Sequence, residues 1–365
     1  MLFINKKRIE VIAVAEVHFE TARCLIWRRV GVDKCGNKSC LICNNGYSKR
    51  DGVSLKMKKT LSKETYLKGL ILGEPKDLMI TNEIIIKEIF GKTTEEIDDL
   101  RKHREANKAA KKAGTAFVKL TTKENNILKQ FTLLSSIVDY YGWFNSLDAN
   151  IAYGPYHIAE ILGMRSCTYC NRTYTITKKT RKTKSGKLMR PQFDHWFPKT
   201  KFPLLGLSFY NLIPSCSICN SSVKGRVEFT LASHTHPYVD DEINNIEFTF
   251  DYWNMIDKYK VNVSGISDDN PRNIKIDNSL AAFKLDEMYD GHHPELEDLV
   301  QLSKAYSPEY LESLKIAFPG ANLTDEQIYR YAFGTELNYS NFHKRPMSKF
   351  KYDILKQLRI IKQKS

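Results

Sequence analysis

The sequence predicts an α+β fold, and three observations predict it. Apolar residues recur at helical spacing across residues 56–164. That pattern stops abruptly at 165–240, where cysteine pairs, aromatic residues, prolines and a Lys/Arg-rich stretch replace it. Beyond it, Ile246 to Val263 alternates apolar and polar residues as one or two strands do. With 365 residues, 42% of them hydrophobic, the chain can build cores for two or three domains.

Taken in order, residues 1–55 read as a small cysteine-rich β module, because Ile9 to Val30 looks like strand alternation and Cys35, Cys40 and Cys43 follow it closely. Residues 56–164 read as a helical domain. There Thr93-Thr94-Glu95-Glu96 marks a helix start, Arg101 to Lys112 a solvated helix face, and Phe131, Leu134, Ile137, Val138 and Tyr141 one packed face. Residues 165–240 form the third unit. Residues 241–365 read as mixed but mainly helical, with Ser267 to Asn278 as loop and Lys349 to Lys364 as a basic terminal helix that could bind DNA, dock on a partner or pack on its own domain.

A formal net charge of +14 favours a polyanionic partner over a neutral small substrate, since a basic surface concentrates phosphate around it. The apolar run Val11 to Ala15 is too short to cross a membrane and is followed by Glu16 and His18 rather than a cleavage site, so a soluble, cytoplasmic protein is expected. All eight cysteines fall in two groups, Cys24/Cys35/Cys40/Cys43 and Cys167/Cys170/Cys216/Cys219. In a reducing compartment such grouping suggests zinc rather than disulfides.

The pairs Cys167-Thr168-Tyr169-Cys170 and Cys216-Ser217-Ile218-Cys219 have the spacing that brings both thiolates of each pair onto one tetrahedral Zn²⁺. A single pair of this kind is equally consistent with a redox motif or a purely structural zinc. The stretch between the pairs carries Phe193-Asp194-His195-Trp196-Phe197-Pro198-Lys199 and then Asn211-Leu212, and Asn220 and Lys224 follow the second pair. This order resembles the HNH (ββα-metal) endonucleases with flanking zinc-knuckle cysteines, over about a fifth of the chain. The resemblance implies a treble-clef-like ββα core with Asp194 and His195 at a strand end and Asn220 at a helix start. It further implies a hydrolase that cuts DNA to 5′-phosphate and 3′-hydroxyl ends, often as a bacterial anti-phage effector beside a second protein.

The residue types suit that chemistry independently. Phosphodiester hydrolysis needs an activated water and a cation at the phosphate. A neutral imidazole, His195, suits the general base, and Asp194 and Asn220 offer oxygen ligands that Mg²⁺ or Mn²⁺ prefers. By analogy Asn211 holds the His195 strand in place. The alternatives are a zinc-organised nucleic-acid-binding module with an inactive core, against which the intact Asp194, His195, Asn211 and Asn220 argue, and a nuclease subunit silent until a partner engages it. Double-strand cleavage with one site per chain would favour a homodimer.

Further candidates surround this core. The run Lys178, Lys179, Arg181, Lys182 and Lys184 reads as a solvated loop beside the scissile phosphate, adding sequence-neutral affinity, with Lys199 as a further contact. Lys224 either holds a phosphate or covers the zinc knuckle. His234 and His236 either reach the site or cap a loop. Cys24, Cys35, Cys40 and Cys43 form a possible second Zn site, with Arg28, Arg29 and Lys34 either phosphate-facing or ordinary surface charge.

Overall fold

In the computed structural model, the described residues are 1–365 apart from 226, 254–257, 266–270, 318–319, 321 and 362–365. The chain opens with α1 (Ile9–Val30), followed by α2 (Leu41–Asn44), α3 (Leu55–Leu61), α4 (Glu64–Leu72), α5 (Pro75–Phe90), α6 (Thr94–Ala113), α7 (Thr122–Val138) and α8 (Pro155–Leu162). Three antiparallel strand pairs come next: β1 (Lys178–Lys179) with β2 (Lys187–Met189), β3 (Gln192–His195) with β4 (Leu212–Ser215), and β5 (Ile246–Trp253) with β6 (Lys258–Gly265). The chain continues through α9 (Pro271–Ala282), α10 (Leu285–Asp290), α11 (His293–Ala305), α12 (Pro308–Ala317), α13 (Asp325–Phe333) and α14 (Ser348–Gln357). The class is α+β.

The strands expected between Ile9 and Val30 are instead the single helix α1. Its buried residues Val11, Val14, Ala15, His18, Phe19, Ala22, Leu25 and Ile26 keep a spacing of three and four, whereas Ile9, Ile12 and Val17 face solvent. Those exposed β-branched residues imitated alternation, but the helical period is the one that buries a continuous stripe. Helix α1 packs against α4, α7 and α8. Residues 1–55 therefore join the helical layer rather than standing as a β module.

Elsewhere the local signals act as their chemistry requires. Thr93 caps α6 and Glu96 returns the bond to the Thr93 amide, and Thr121 and Glu124 do the same for α7. Phe131, Leu134, Ile137 and Val138 are buried on one face of α7, but Tyr141 lies beyond the left-handed cap at Asp139 and is exposed. The expected loop Ser267–Asn278 is helical from Pro271 onward, with proline at the first turn where its missing N–H costs nothing; residues 267–270 lie outside the described residues.

In β5 and β6 the pairs Phe248–Val263 and Phe250–Val261 share register, and α14 covers β5 while α9, α10 and α11 meet β6. The terminal helix is spent on this packing. Lys349, buried in α14, is ion-paired to Asp353 at 2.7 Å, and Asp353 accepts from the Phe248 amide at 3.0 Å. Residues 362–364 of the expected helix lie outside the described residues. No helix among the described residues is long and apolar enough to cross a membrane.

Candidate functional site

Strands β3 and β4 pair Asp194 with Ile213 and His195 with Leu212, and the chain turns at once into a helical segment, Ile218–Val223. This segment is wide, with the Lys224 amide reaching back five residues to the Cys219 carbonyl at 3.2 Å. Such wide turns interrupt regular helices mostly where a side chain must be re-aimed. Because strand side chains alternate, Gln192 and Asp194 share one face of β3, and Phe193 and His195 the other.

The helical segment lies over the Asp194 face. Lys224 Nζ donates to Asp194 Oδ2 and to the His195 carbonyl, both at 2.7 Å, and the Tyr169 hydroxyl donates to the same Asp194 oxygen at 2.6 Å. Asp194, Lys224 and Tyr169 are all buried. The Lys224 charge is thus paired inside with Asp194, where an unpaired ammonium or carboxylate would be costly. Asn220, nearer the surface, donates its amide nitrogen to Gln192 Oε1 at 2.7 Å. The structure therefore gives Asp194 and Asn220 different partners along one strand face.

Asp194 and Asn220 carry oxygen atoms of the kind a divalent cation prefers, but the Asp194 carboxylate is already occupied by the Lys224 ammonium. Mg²⁺ and Mn²⁺ are held by one or two such protein oxygens, with water and phosphate completing the shell.

His195 points the other way. Its Nε2–H donates to the Gly206 carbonyl at 3.0 Å, which leaves Nδ1 as the lone-pair nitrogen, and the Tyr140 ring stands edge-on at 4.4 Å. Burial, reinforced by the Lys199 charge, lowers its pKa to about 3, so the ring is neutral at pH 7. Lys199 rests over Tyr141, its Nζ 3.6 Å from the ring centroid.

Asn211 is fully buried and staples the loop after His195. It accepts from the Phe197 amide at 2.7 Å and donates to the Phe197 and Leu205 carbonyls at 3.1 and 3.0 Å, while its own carbonyl accepts from the Trp196 amide at 3.1 Å.

Behind the hairpin, Cys167, Cys170, Cys216 and Cys219 are buried with all four sulfurs within 4.8 Å of one another, a set that could hold a metal ion. A tetrahedral Zn²⁺ places its thiolates roughly 3.8 Å apart, close to this arrangement. The Cys216 amide points at the Cys167 sulfur at 3.3 Å and the Cys219 amide at the Cys216 sulfur at 3.4 Å. Thiol hydrogen bonds from Cys167, Cys170 and Cys219 drive the Cys216 thiol far down, whereas burial holds Cys167 well up.

Cys24, Cys35, Cys40 and Cys43 form a second such set, which could also hold a metal ion. Cys24 comes from the interior of α1, and α2 brings Cys43, whose amide meets the Cys40 sulfur at 3.5 Å. Against the opposing effect of burial, the Asn37 amide and the Cys43 thiol lower Cys35 to about 7. Of the basic residues flanking it, Arg29 is buried on Asp139 at 2.7 Å and Arg28 donates to the Tyr47 and Val32 carbonyls, so only Lys34 remains as exposed charge.

The basic run is not a free loop. Lys178 and Lys179 pair with Lys187–Met189, Lys179 meets Glu160 at 2.8 Å, and the Ala149 amide bonds the Ser185 carbonyl at 2.7 Å, which pins the hairpin to the segment before α8. Arg181, Lys182 and Lys184 remain exposed at its tip. His234 stacks on Phe229 at 4.3 Å, and His236 is enclosed beside Trp196 at 4.7 Å, its Nδ1 accepting from the Tyr238 amide. Neither histidine is an open ligand to the Asp194 face.

Sequence reasoning missed Tyr169, Tyr140 and Gly206. Tyr169 occupies a variable position inside a Cys-x-x-Cys pair, and Tyr140 arrives from another part of the chain, so neither carried a local signal. Comparisons with family models, with curated proteins and with solved structures find no match to this chain.

Proposed function

We propose that the chain is a metal-dependent DNA endonuclease acting in the cytoplasm, of the HNH type that its motif order resembles, in a defence or restriction-like role. The observation that carries the reading is that one hairpin, β3 paired with β4, carries Asp194 and His195 at its end, with Asn211 stapling the following loop and Asn220 bonded to Gln192 of the same strand. His195 takes a proton from water at Nδ1, and the resulting hydroxide attacks phosphorus in line with the 3′-oxygen. The 3′-oxygen departs as hydroxyl and the phosphate stays on the 5′ side. A divalent cation on Asp194 and Asn220 would neutralise charge at the phosphate. Asn211 keeps the loop after His195 in register, and Lys199, Arg181, Lys182 and Lys184 supply positive charge for the DNA backbone. Both Cys₄ sets are read as structural zinc.

A specific observation favours a second, partner-gated reading. His195 is only 9% exposed beneath Tyr140, and Asp194 is engaged by Lys224. In this reading a protein partner opens the site.

The test is plasmid cleavage by purified protein with Mg²⁺ or Mn²⁺, beside His195→Ala and an EDTA control. Metal-dependent nicking or linearisation that His195→Ala abolishes supports the free-standing enzyme. Cleavage that appears only when cell extract is added supports gating. Equal inertness of both proteins under every condition, with DNA binding retained, would leave a zinc-organised binding module instead.

A further inference from the structure

Helix α6 is polarised along its length. Glu95, Glu96, Asp98 and Asp99 crowd its first turns, whereas Arg104, Lys108, Lys111 and Lys112 follow with Glu105 as the single acid among them. Its buried residues are Thr94, Ile97 and Asp98 alone, so the basic half projects from the layer. Arg104, Lys108 and Lys111 lie four and three residues apart and therefore share one face, where like charges repel.

The returning segment worsens this repulsion. Lys119 comes back against the same face, held by Asn107 and His103, which bond the Val118 carbonyl at 2.7 and 3.0 Å. Together with Phe117 these four cations line an open cleft of about 260 Å³. Nearby carboxylates are committed elsewhere: Glu105 pairs with Arg101 at 3.3 Å, and Glu124 closes the α7 capping box. Arg104 Nε is buried without a hydrogen-bond partner among the described residues, and Phe117 presents 38% of its surface. Four clustered cations and an available aromatic face are the elements that bind a nucleic-acid strand, phosphate by phosphate, with one base stacked.

The helix that bears the cleft also touches the loop after His195. Lys201, in the loop after His195, meets Glu95 at the start of α6 at 2.7 Å. At 1.5 Å rise per residue, Arg104 and Lys111 lie about 14 and 24 Å along the helix from that anchor.

We propose that the cleft between the basic half of α6 and the 115–120 segment is a second nucleic-acid site, which grips the strand away from the candidate site without reading its sequence. It rests on the nucleic-acid reading of the partner, not on hydrolysis. The site would raise affinity and orient the strand along α6.

The experiment measures binding of a fluorescein-labelled 20-nucleotide single strand of mixed sequence to the full chain carrying His195→Ala, without added divalent cation, across a salt titration. The cleft variant is Arg104→Gln/Lys108→Gln/Lys111→Gln, which keeps good helix formers. The charge-matched control is Lys56→Gln/Lys58→Gln/Lys59→Gln on the exposed face of α3. The cleft variant is expected to bind at least about ten-fold more weakly and to lose about two units of the slope of log K against log salt, at about 0.7 per phosphate contact. Phe117→Ala is expected to weaken binding about five-fold or more through lost stacking. The control should keep both affinity and slope.

Equal losses in cleft and control variants, or none in either, overturn the cleft while leaving the nuclease reading intact. A parent chain that binds no strand at all overturns both. Cleft-dependent binding to phosphatidylserine vesicles with none to the oligonucleotide would overturn the nucleic-acid assignment in favour of a membrane surface.

Discussion

His18 and His195 grip adjacent carbonyls of one short segment. His18 Nε2 donates to Leu207 O at 2.6 Å, and His195 Nε2 to Gly206 O at 3.0 Å. His18 belongs to α1 and is further fixed by the Tyr153 hydroxyl on its Nδ1, at 2.6 Å. The helical layer therefore sets the tautomer of the candidate base through two neighbouring peptide groups. A Cβ at Gly206 would lie 3.2 Å from Val138 Cγ1 of α7, so a larger residue there would require Val138 to shift by a few tenths of an ångström.

Replacement of His195 by alanine is expected to lower DNA cleavage by about 10²–10⁴-fold, the usual contribution of a positioned general base. Zinc content should stay near that of the parent, while the thermal midpoint should fall because a buried, hydrogen-bonded ring is removed. The measurement is single-turnover plasmid cleavage beside metal analysis, and parent-like cleavage by the variant would remove His195 from the role.

Asn211→Ala removes three side-chain hydrogen bonds in a fully buried position and strands the Phe197 amide. A loss of about 2–4 kcal/mol is expected, at about 1 kcal/mol per bond plus the penalty for the orphaned groups. Chemical denaturation would read it. Asn211→Asp should fare no better, because a carboxylate cannot donate to the Phe197 and Leu205 carbonyls.

Breaking the buried Asp194–Lys224 pair from one side should be severe. Lys224→Met leaves the carboxylate without its ammonium, and about 3–5 kcal/mol of destabilisation is expected. Tyr169→Phe, which removes one hydrogen bond to the same charged oxygen, should cost less, about 1.5–3 kcal/mol. The ranking of the two midpoints in urea is the check.

Stability should fall as the solution is acidified below pH 6.5. Burial lowers His18 to about 4 and both His195 and His236 to about 3, against 6.5 for an exposed ring. The unfolded chain then binds protons that the folded chain refuses, so stability present above pH 6.5 is lost as pH drops toward 4. Each such ring contributes about 1.4 kcal/mol per pH unit in that window. His18→Gln should flatten the dependence of unfolding free energy on pH by about one proton, measured between pH 6 and 5.

Purified protein should carry two zinc ions per chain. Cys216→Ser should remove one and Cys40→Ser the other, read by elemental analysis, and a strong chelator should lower the thermal midpoint of the parent. Loss of both ions in either single variant would mean that the two sets are not independent.

Much of this molecule was legible in local chemistry. The caps of α6 and α7, the β5–β6 hairpin and the grouping of the cysteines each depend on residues close in sequence, or on a ligand spacing that short segments enforce. The motif Asp194-His195 with Asn211 and Asn220 was visible for the same reason. What misled was periodicity in α1, where exposed isoleucine and valine imitate a strand, and charge in residues whose fate is burial. Arg29 read as phosphate-facing or surface charge, Lys224 as a phosphate contact or a cover for the zinc knuckle, and Lys349 as part of a basic helix, yet each ends inside on a carboxylate.

Sequence by itself determined which residues could do chemistry and which short segments would be helix, turn or metal clip, because those depend on side-chain type at fixed local spacing. Only the tertiary structure decided their working state. His195 is neutral because distant residues bury it and the Gly206 carbonyl orients it, and Asp194 is paired because Lys224 and Tyr169 come from opposite sides of the hairpin. Burial and long-range partners set charge and tautomer, and neither is a property of any local stretch of chain.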